Sequence, residues 1–481
     1  MIDVFFYHFP SLHLGYMLDS CQCNVCGMKN ELNIFNEIVD ELLKLEELDP
    51  VVKLGAPEGM KQKFDISVGD EPMLESDFRA VLGKVVLNTP RTASRSFFNQ
   101  LFGGRNPSAT LGELLAVMLN ISMYTYKVGG PHVGIETELV QQICKRIGFP
   151  EEGSSGTFAP GGSMCNFMSV IMARDGYDAE IKNMGVRKQL VIYTSQDAHY
   201  SIAKNATFSG IGKENVRYLP VNDLGQMETD LLENLIAVDK SNGLHPFLIN
   251  ATAATTVLGS FDDINTLGDI ANKHNIWLHV DGAYGGCVIF SEKHKHLLNG
   301  IEKCDSFTIN PHKMLGTPLS CSIFVTKHKQ QLFESFSQDA SYLYQGDNDD
   351  YNLGKTSIQC GRRNDAFKFW TLWKSVGTKG LEKIIDQLYH LADVARDYVK
   401  NHKDYRLYSF EESTAVCFNY KDIPPDKICN ALSENGKLMV GYGSFKEDTF
   451  VRFVTVNSCL TEGDIIKFFE RFEKFADSYE F

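Results

Sequence analysis

Trp277-Leu278-His279-Val280-Asp281-Gly282-Ala283-Tyr284 reads as a short apolar strand that ends on a carboxylate. A carboxylate in that position loses its water and needs a buried cation to offset the loss. Thirty-two residues after Asp281, the run Asn310-Pro311-His312-Lys313-Met314 supplies a lysine. An ε-amine joins a carbonyl as a Schiff base. The pair therefore asks for one ligand that offers an aldehyde to Lys313 and a cationic ring nitrogen to Asp281.

Outward from this strand, similar runs recur. Leu190-Val191-Ile192-Tyr193 and Pro246-Phe247-Leu248-Ile249-Asn250 are near-continuously apolar and alternate with helical segments. Strands of that kind belong to a mainly parallel sheet covered on both faces, with ligands beyond the carboxyl ends of the strands. Residues 96–377 are predicted to form this large α/β domain. Residues 378–481 read as a smaller α+β domain: a long helix around Leu381 to Lys400, short strands, and a last helix after Thr461-Glu462-Gly463-Asp464. Residues 1–95 read as an N-terminal arm, a helix from about Asn30 to Leu48 followed by irregular chain.

The chain has 481 residues, 43% hydrophobic and 22% charged, with a net charge of −14. That is ordinary globular composition with ample material for a large core. The acidic balance argues against nucleic acid as a partner, which needs a basic face. No apolar stretch reaches membrane-spanning length, and the N-terminus lacks a basic leader, so a cytoplasmic protein is expected. The twelve cysteines are mostly scattered singly, which fits reduced, packed thiols. Cys21, Cys23 and Cys26 are close together but lack a fourth ligand nearby, and no metal site is expected.

Other short motifs gain meaning from their order. Gly161-Gly162-Ser163 precedes a helical run and could bind an anion at a helix N-terminus. His199 follows a β-like run and could stack on a ring; alone it reads as a hydrogen-bonded structural histidine. Thr256 sits at a strand end and turn. Together with Asp281, Ala283 and Asn310-Pro311-His312-Lys313, these five motifs resemble the group II pyridoxal-phosphate amino-acid decarboxylases, which act on glutamate, cysteine sulfinate, aspartate or aromatic amino acids. The resemblance runs from about Phe97 to the C-terminus, roughly four-fifths of the chain.

The resemblance implies an α/β fold of the type I, aspartate aminotransferase-like class of pyridoxal-phosphate enzymes, with a mostly parallel central sheet and a smaller α+β C-terminal domain. It implies that Lys313 holds the cofactor, Asp281 pairs with the pyridine nitrogen, His199 stacks on one ring face and Ala283 lies under the other. Gly162, Ser163 and His312 would bind the phosphate, and Asn310 and Thr256 would support phosphate and ring. In Ala340-Ser341-Tyr342-Leu343-Tyr344, Tyr342 falls on the family's proton-donating loop tyrosine. A homodimer is implied, with the site at the subunit interface and Tyr342 reaching the neighbour.

For substrate, Phe97-Phe98-Asn99-Gln100-Leu101 resembles a run of the glutamate and cysteine-sulfinate decarboxylases, with Gln100 as a donor to a carboxylate. Arg452, in the apolar run Phe450-Val451-Arg452-Phe453-Val454, would bind a substrate carboxylate by its fork. Asp281-Gly282-Ala283-Tyr284 departs from the Ala-Ala-Trp usual after the aspartate in vertebrate acidic-substrate enzymes. The expected activity is carboxy-lyase action on a small acidic L-amino acid; the alternative is an aromatic one.

Overall fold

The computed structural model describes residues 24–48, 51, 57–338, 344 and 349–479. Tyr342 and the cysteines at 21 and 23 lie outside them. The chain divides into two units, Met1–Leu48 with Ala56–Thr89, and Asp49–Gly55 with Pro90–Phe481.

In the first unit the expected helix spans Asn24–Glu47. The irregular chain expected after it is in part helical: Met60–Phe64 and Glu75–Leu87 are helices. Two acidic residues, Glu75 and Asp77, stand in the first turn of the latter, where the helix dipole favours them. Phe78, Val81, Leu82, Val85 and Val86 stand at helical spacing in it, a signal that reading the whole stretch as irregular passed over.

The second unit holds two sheets. In chain order the strands are β1 (Phe97–Phe98), β2 (Ser155–Ala159), β3 (Leu190–Ser195), β4 (Val216–Leu219), β5 (His245–Thr252), β6 (Trp277–Gly282), β7 (Ser306–Ile309), β8 (Ser322–Thr326), β9 (Tyr405–Leu407), β10 (Ala415–Tyr420), β11 (Met439–Phe445) and β12 (Asp448–Val454). The large sheet has the order β2-β8-β7-β6-β5-β3-β4. Only β8 runs against its neighbours, so the sheet is mostly parallel as predicted. Strands β3, β5, β6 and β7 are buried almost throughout, which explains their unbroken apolar runs.

The strand order reverses between β3 and β5, since β4 lies outside β3 while β5 lies inside it. The crevice at such a reversal, beyond the carboxyl ends, is where open α/β sheets bind ligands. In register, Asp281 stands between Thr252 of β5 and Thr308 of β7 at that end.

The smaller sheet has the order β1-β11-β12-β10-β9, antiparallel except for β1 beside β11. Its core is aromatic: Phe98 stacks on Phe453 at 4.6 Å, and Phe468 packs on both. The helix Glu462–Ser478 opens with a capping box between Thr461 and Asp464, a signal present in the sequence. The helical stretch Asp365–Asn401 is kinked at Gly377, where φ is 65°. Past the kink, Leu381, Ile385 and Leu388 join the core of the large sheet, and Leu391, Ala392, Ala395 and Val399 join that of the small one.

Candidate active site

Every parallel strand near the crevice delivers a residue to it just past its end. His199 follows β3, Thr256 follows β5, Asp281 and Ala283 stand at the end of β6, and Asn310, His312 and Lys313 follow β7. The helix Gly162–Tyr177 follows β2 and points its N-terminus to the same place. Together these residues line a cavity of about 210 Å³. All nine cofactor-binding residues expected from the sequence therefore meet at one site.

The two residues that opened the reading face each other electrically. Burial pushes the Lys313 amine down from its ordinary range, and the Asp281 charge partly opposes that shift. The Lys313 ammonium end also sits 6.0 Å from the centre of the Tyr284 ring. Asp281 Oδ1 accepts from the Ala283 amide at 3.0 Å and Oδ2 accepts from Asn166 Nδ2 at 2.6 Å. Burial lowers the His199 pKa, which favours a neutral imidazole able to lie against a ring. His312 is pushed down to about 4, first by burial and then by the charges of Lys313 and Lys368, and the Cys321 backbone holds its Nδ1.

The cavity suits a phosphorylated pyridine aldehyde. Gly162 opens a helix whose first amides are free to face an anion. A Cβ at Gly162 would come within 2.9 Å of Asn310 Nδ2 and 3.0 Å of the Ala283 methyl, so only glycine keeps that floor open. Among the described residues, Asn310 Oδ1 and Thr252 Oγ1 are buried with no hydrogen-bond partner, groups a polar ligand could satisfy.

Two expected substrate residues are not among those lining the cavity. Gln100 is exposed on the segment after β1. Arg452 instead donates to the Thr256 carbonyl at 2.8 Å and to the Asn99 carbonyl at 2.7 Å. Its Nε is buried without a partner among the described residues. Gly282 has a local reason: a Cβ there would run into the Phe307 ring and the Thr308 carbonyl. Tyr284 is buried, with its hydroxyl 2.6 Å from Thr414 Oγ1.

Sequence reasoning passed over Asn166 and His279. His279 Nε2 is 3.1 Å from Asn166 Oδ1, and its Nδ1 is 2.9 Å from Ser306 Oγ. The signal was available, because the period of two puts Trp277, His279 and Asp281 on one face of β6. Burial lowers His279 to about 4. The unfolded chain takes up that proton near the ordinary 6.5, so this contribution to stability is whole above about 6.5 and is lost as pH falls toward 4. Denaturant midpoints measured from pH 7.5 to pH 4 should fall more steeply for the wild type than for His279→Gln; equal slopes would contradict the assignment.

Known proteins resemble this chain over most of its length. The pyridoxal-dependent decarboxylase conserved domain matches residues 57–421. Human cysteine sulfinic acid decarboxylase is 34% identical over 458 residues, covering 90% of this chain and 92% of the relative. The acidic amino acid decarboxylase GADL1 of Bos taurus is 34% identical over 463 residues, covering 90% and 87%. The solved structure of mouse CSAD in apo form superposes with a TM-score of 0.89 at 30% identity, covering 94% of this chain and 99% of that one. Tryptophan decarboxylase of Catharanthus roseus shares the fold, with a TM-score of 0.86 at 22% identity. With a matching domain across three quarters of its length and a cavity that fits the cofactor, the chain belongs to the pyridoxal-dependent decarboxylases, and is an amino-acid decarboxylase that uses pyridoxal 5'-phosphate.

Proposed function

We propose that the substrate is a small acidic L-amino acid: cysteine sulfinate, aspartate or glutamate. The observation that carries this reading is the full-length similarity to relatives named for such substrates, at 34% identity. The half-buried Arg452 supports it. No carboxylate pairs with this guanidinium among the described residues, its Nε is buried and unsatisfied, and it is bonded to the residue Thr256 that lines the cavity. A partly desolvated cation of that kind favours an anion nearby.

In this reading Lys313, with its amine pushed toward neutrality by burial, would hold the cofactor through its aldehyde carbon. Asp281 would hold a proton at the pyridine nitrogen. His199 and Ala283 would fix the ring plane from its two faces, and Gly162, Ser163 and His312 would hold the phosphate, with Asn310 and Thr256 beside it. When bound, the cofactor supplies an electron sink for the pair left at Cα as CO₂ departs. The protein's part is to hold the Cα–carboxylate bond perpendicular to the ring and away from water. Tyr342 would return the proton to Cα, and Gln100 and Arg452 would contact substrate carboxylates.

The active assembly is proposed to be a homodimer. The helix Pro107–Leu119 leaves Leu111, Leu114, Leu115, Val117, Met118 and Leu119 exposed, a face apolar enough to seat a second copy. The chain is proposed to be cytoplasmic: nine cysteines between Cys144 and Cys459 are free thiols, and no described helix is long and apolar enough to cross a membrane. A three-part organisation, 1–95, 96–377 and 378–481, is retained as a proposal, supported at its second boundary by the Gly377 kink.

The test is a substrate panel on the protein saturated with cofactor, reading CO₂ and amine. The acidic amino acids should exceed tryptophan, tyrosine and their hydroxylated forms in kcat/KM by about 100-fold or more, the range a site built to bond a polar group reaches. A preference for the aromatic substrates would overturn the substrate reading and leave the cofactor assignment intact.

A further inference from the structure

One face of β6 carries more than Asp281. Trp277, His279 and Asp281 alternate onto it, and the neighbouring strand β7 sets Ser306 beside His279 and Thr308 beside Asp281. The helix Gly162–Tyr177 lies over this face and brings Asn166 down, nearly fully buried, between His279 and Asp281. The groups form a line. Trp277 Nε1 lies 2.9 Å from Ser306 Oγ, Ser306 Oγ lies 2.9 Å from His279 Nδ1, His279 Nε2 lies 3.1 Å from Asn166 Oδ1, and Asn166 Nδ2 lies 2.6 Å from Asp281 Oδ2.

The direction of every bond in that line is fixed from its two ends. A carboxylate can only accept, so Asn166 must turn its amide nitrogen to Asp281 and its carbonyl to His279. His279 must then donate from Nε2. Burial keeps its imidazole neutral, so Nδ1 is bare and accepts the Ser306 hydroxyl proton. Indole nitrogen can only donate, so Trp277 gives its proton to Ser306 Oγ. All four hydrogens point the same way, toward Asp281. Bonds aligned head to tail in a low-dielectric interior polarise one another, and each donor upstream strengthens the last one.

We propose that Asn166 is a positioning residue for the cofactor, and that the line Trp277–Ser306–His279–Asn166 acts through it. Its work is to hold the Asp281 carboxylate turned so that its other lone pairs meet the pyridine nitrogen. Without that line, the carboxylate is free to rotate, and the ring nitrogen loses the aligned anion. The inference rests on the proposed pairing of Asp281 with the ring nitrogen. Asn166 Nδ2 also donates to Ser201 Oγ at 3.0 Å, so both hydrogens of the amide that serves Asp281 are held.

The experiment compares two ligands on the apoprotein: pyridoxal phosphate, and its analogue in which a carbon replaces the ring nitrogen. Affinities come from fluorescence titration, without turnover. The wild type should prefer pyridoxal phosphate by about tenfold or more, the scale of a hydrogen bond to a charged group. Asp281→Ala should bind the two ligands equally. In Asn166→Leu the preference should collapse to within about threefold, with affinity for the carbon analogue little changed, because the lost bond acted only through the nitrogen. Ser306→Ala, which touches neither Asp281 nor the ligand, should lower the preference by about twofold.

An Asn166→Leu protein that loses affinity for both ligands equally and keeps the preference overturns the inference, since its role would then be structural. Should that variant fail to fold, Ser306→Ala carries the test, and an unchanged preference there overturns the relay. A wild type that fails to distinguish the ligands overturns the Asp281 pairing itself, a different failure from the other two.

Discussion

Replacing Lys313 with alanine is expected to lower CO₂ release by roughly 10³-fold or more and to remove the absorbance band that joins cofactor to protein. The argument is chemical before it is geometric. A lysine at the end of β7, on the short helix Pro311–Met314, sits in the cavity with its amine driven toward the neutral form by burial. Neutral amine is the nucleophile; ammonium is not. The informative companion is Lys313→Arg, which keeps the positive charge near Asp281 but presents a guanidinium that stays protonated. If the charge alone mattered, the arginine variant would retain much of the activity. The covalent role requires both variants to be inactive to the same degree, measured by CO₂ evolution with saturating cofactor. Retention of a tenth of the wild-type rate by Lys313→Arg would sink it.

The largest stability loss is expected at Arg362. This side chain is 2% exposed, and its Nη2 donates to Glu136 Oε1 at 2.5 Å, to Thr157 Oγ1 at 3.0 Å and to the Phe158 carbonyl at 3.0 Å. Glu136 Oε1 also accepts from the Phe158 amide at 3.2 Å. One ion pair thus ties the segment after Thr356 to the helix Pro131–Arg146 and to β2. Cutting Arg362 to alanine strands a carboxylate away from water, which costs about 3–5 kcal/mol. The pair is not fully satisfied: Glu136 Oε2 and Arg362 Nε and Nη1 are buried without hydrogen-bond partners among the described residues. Its net worth over an apolar pair is therefore small, and Arg362→Met with Glu136→Leu should recover most of the loss. Urea unfolding of the three proteins is the measurement. A single-variant loss under about 1 kcal/mol would mean that water reaches Glu136.

These residues also mark what could be read from the chain and what could not. Lys313, Asp281 and the glycines at 161 and 162 announce themselves through short strings, because each must sit at a strand or helix end with particular chemistry. The apolar runs of β3, β5 and β6 follow from burial on both faces, which leaves no alternation to misread. Arg362 gives no local sign of its role, because its partner Glu136 is 226 residues away. Asn166 is similar: an asparagine in the first turns of a helix has many uses, and only the fold shows that the helix crosses β6. Arg452 is legible as a cation in an apolar strand, which the fold leaves half-buried; its two carbonyl partners, at Asn99 and Thr256, belong to distant segments. The helix Glu75–Leu87 was legible in the spacing of Phe78, Val81, Leu82, Val85 and Val86, but it follows a polar, glycine-containing stretch that draws the eye to irregular chain.

The stretch of helix beyond Gly377 gives Leu388 to one core and Leu391 to the other within a single turn. A rod shared this way acts as a lever between them. Shifting the smaller sheet drags the same backbone that braces the parallel strands, so the two layers should melt together in one cooperative step, and a chain cut at that bend would leave each half with a bare greasy seam.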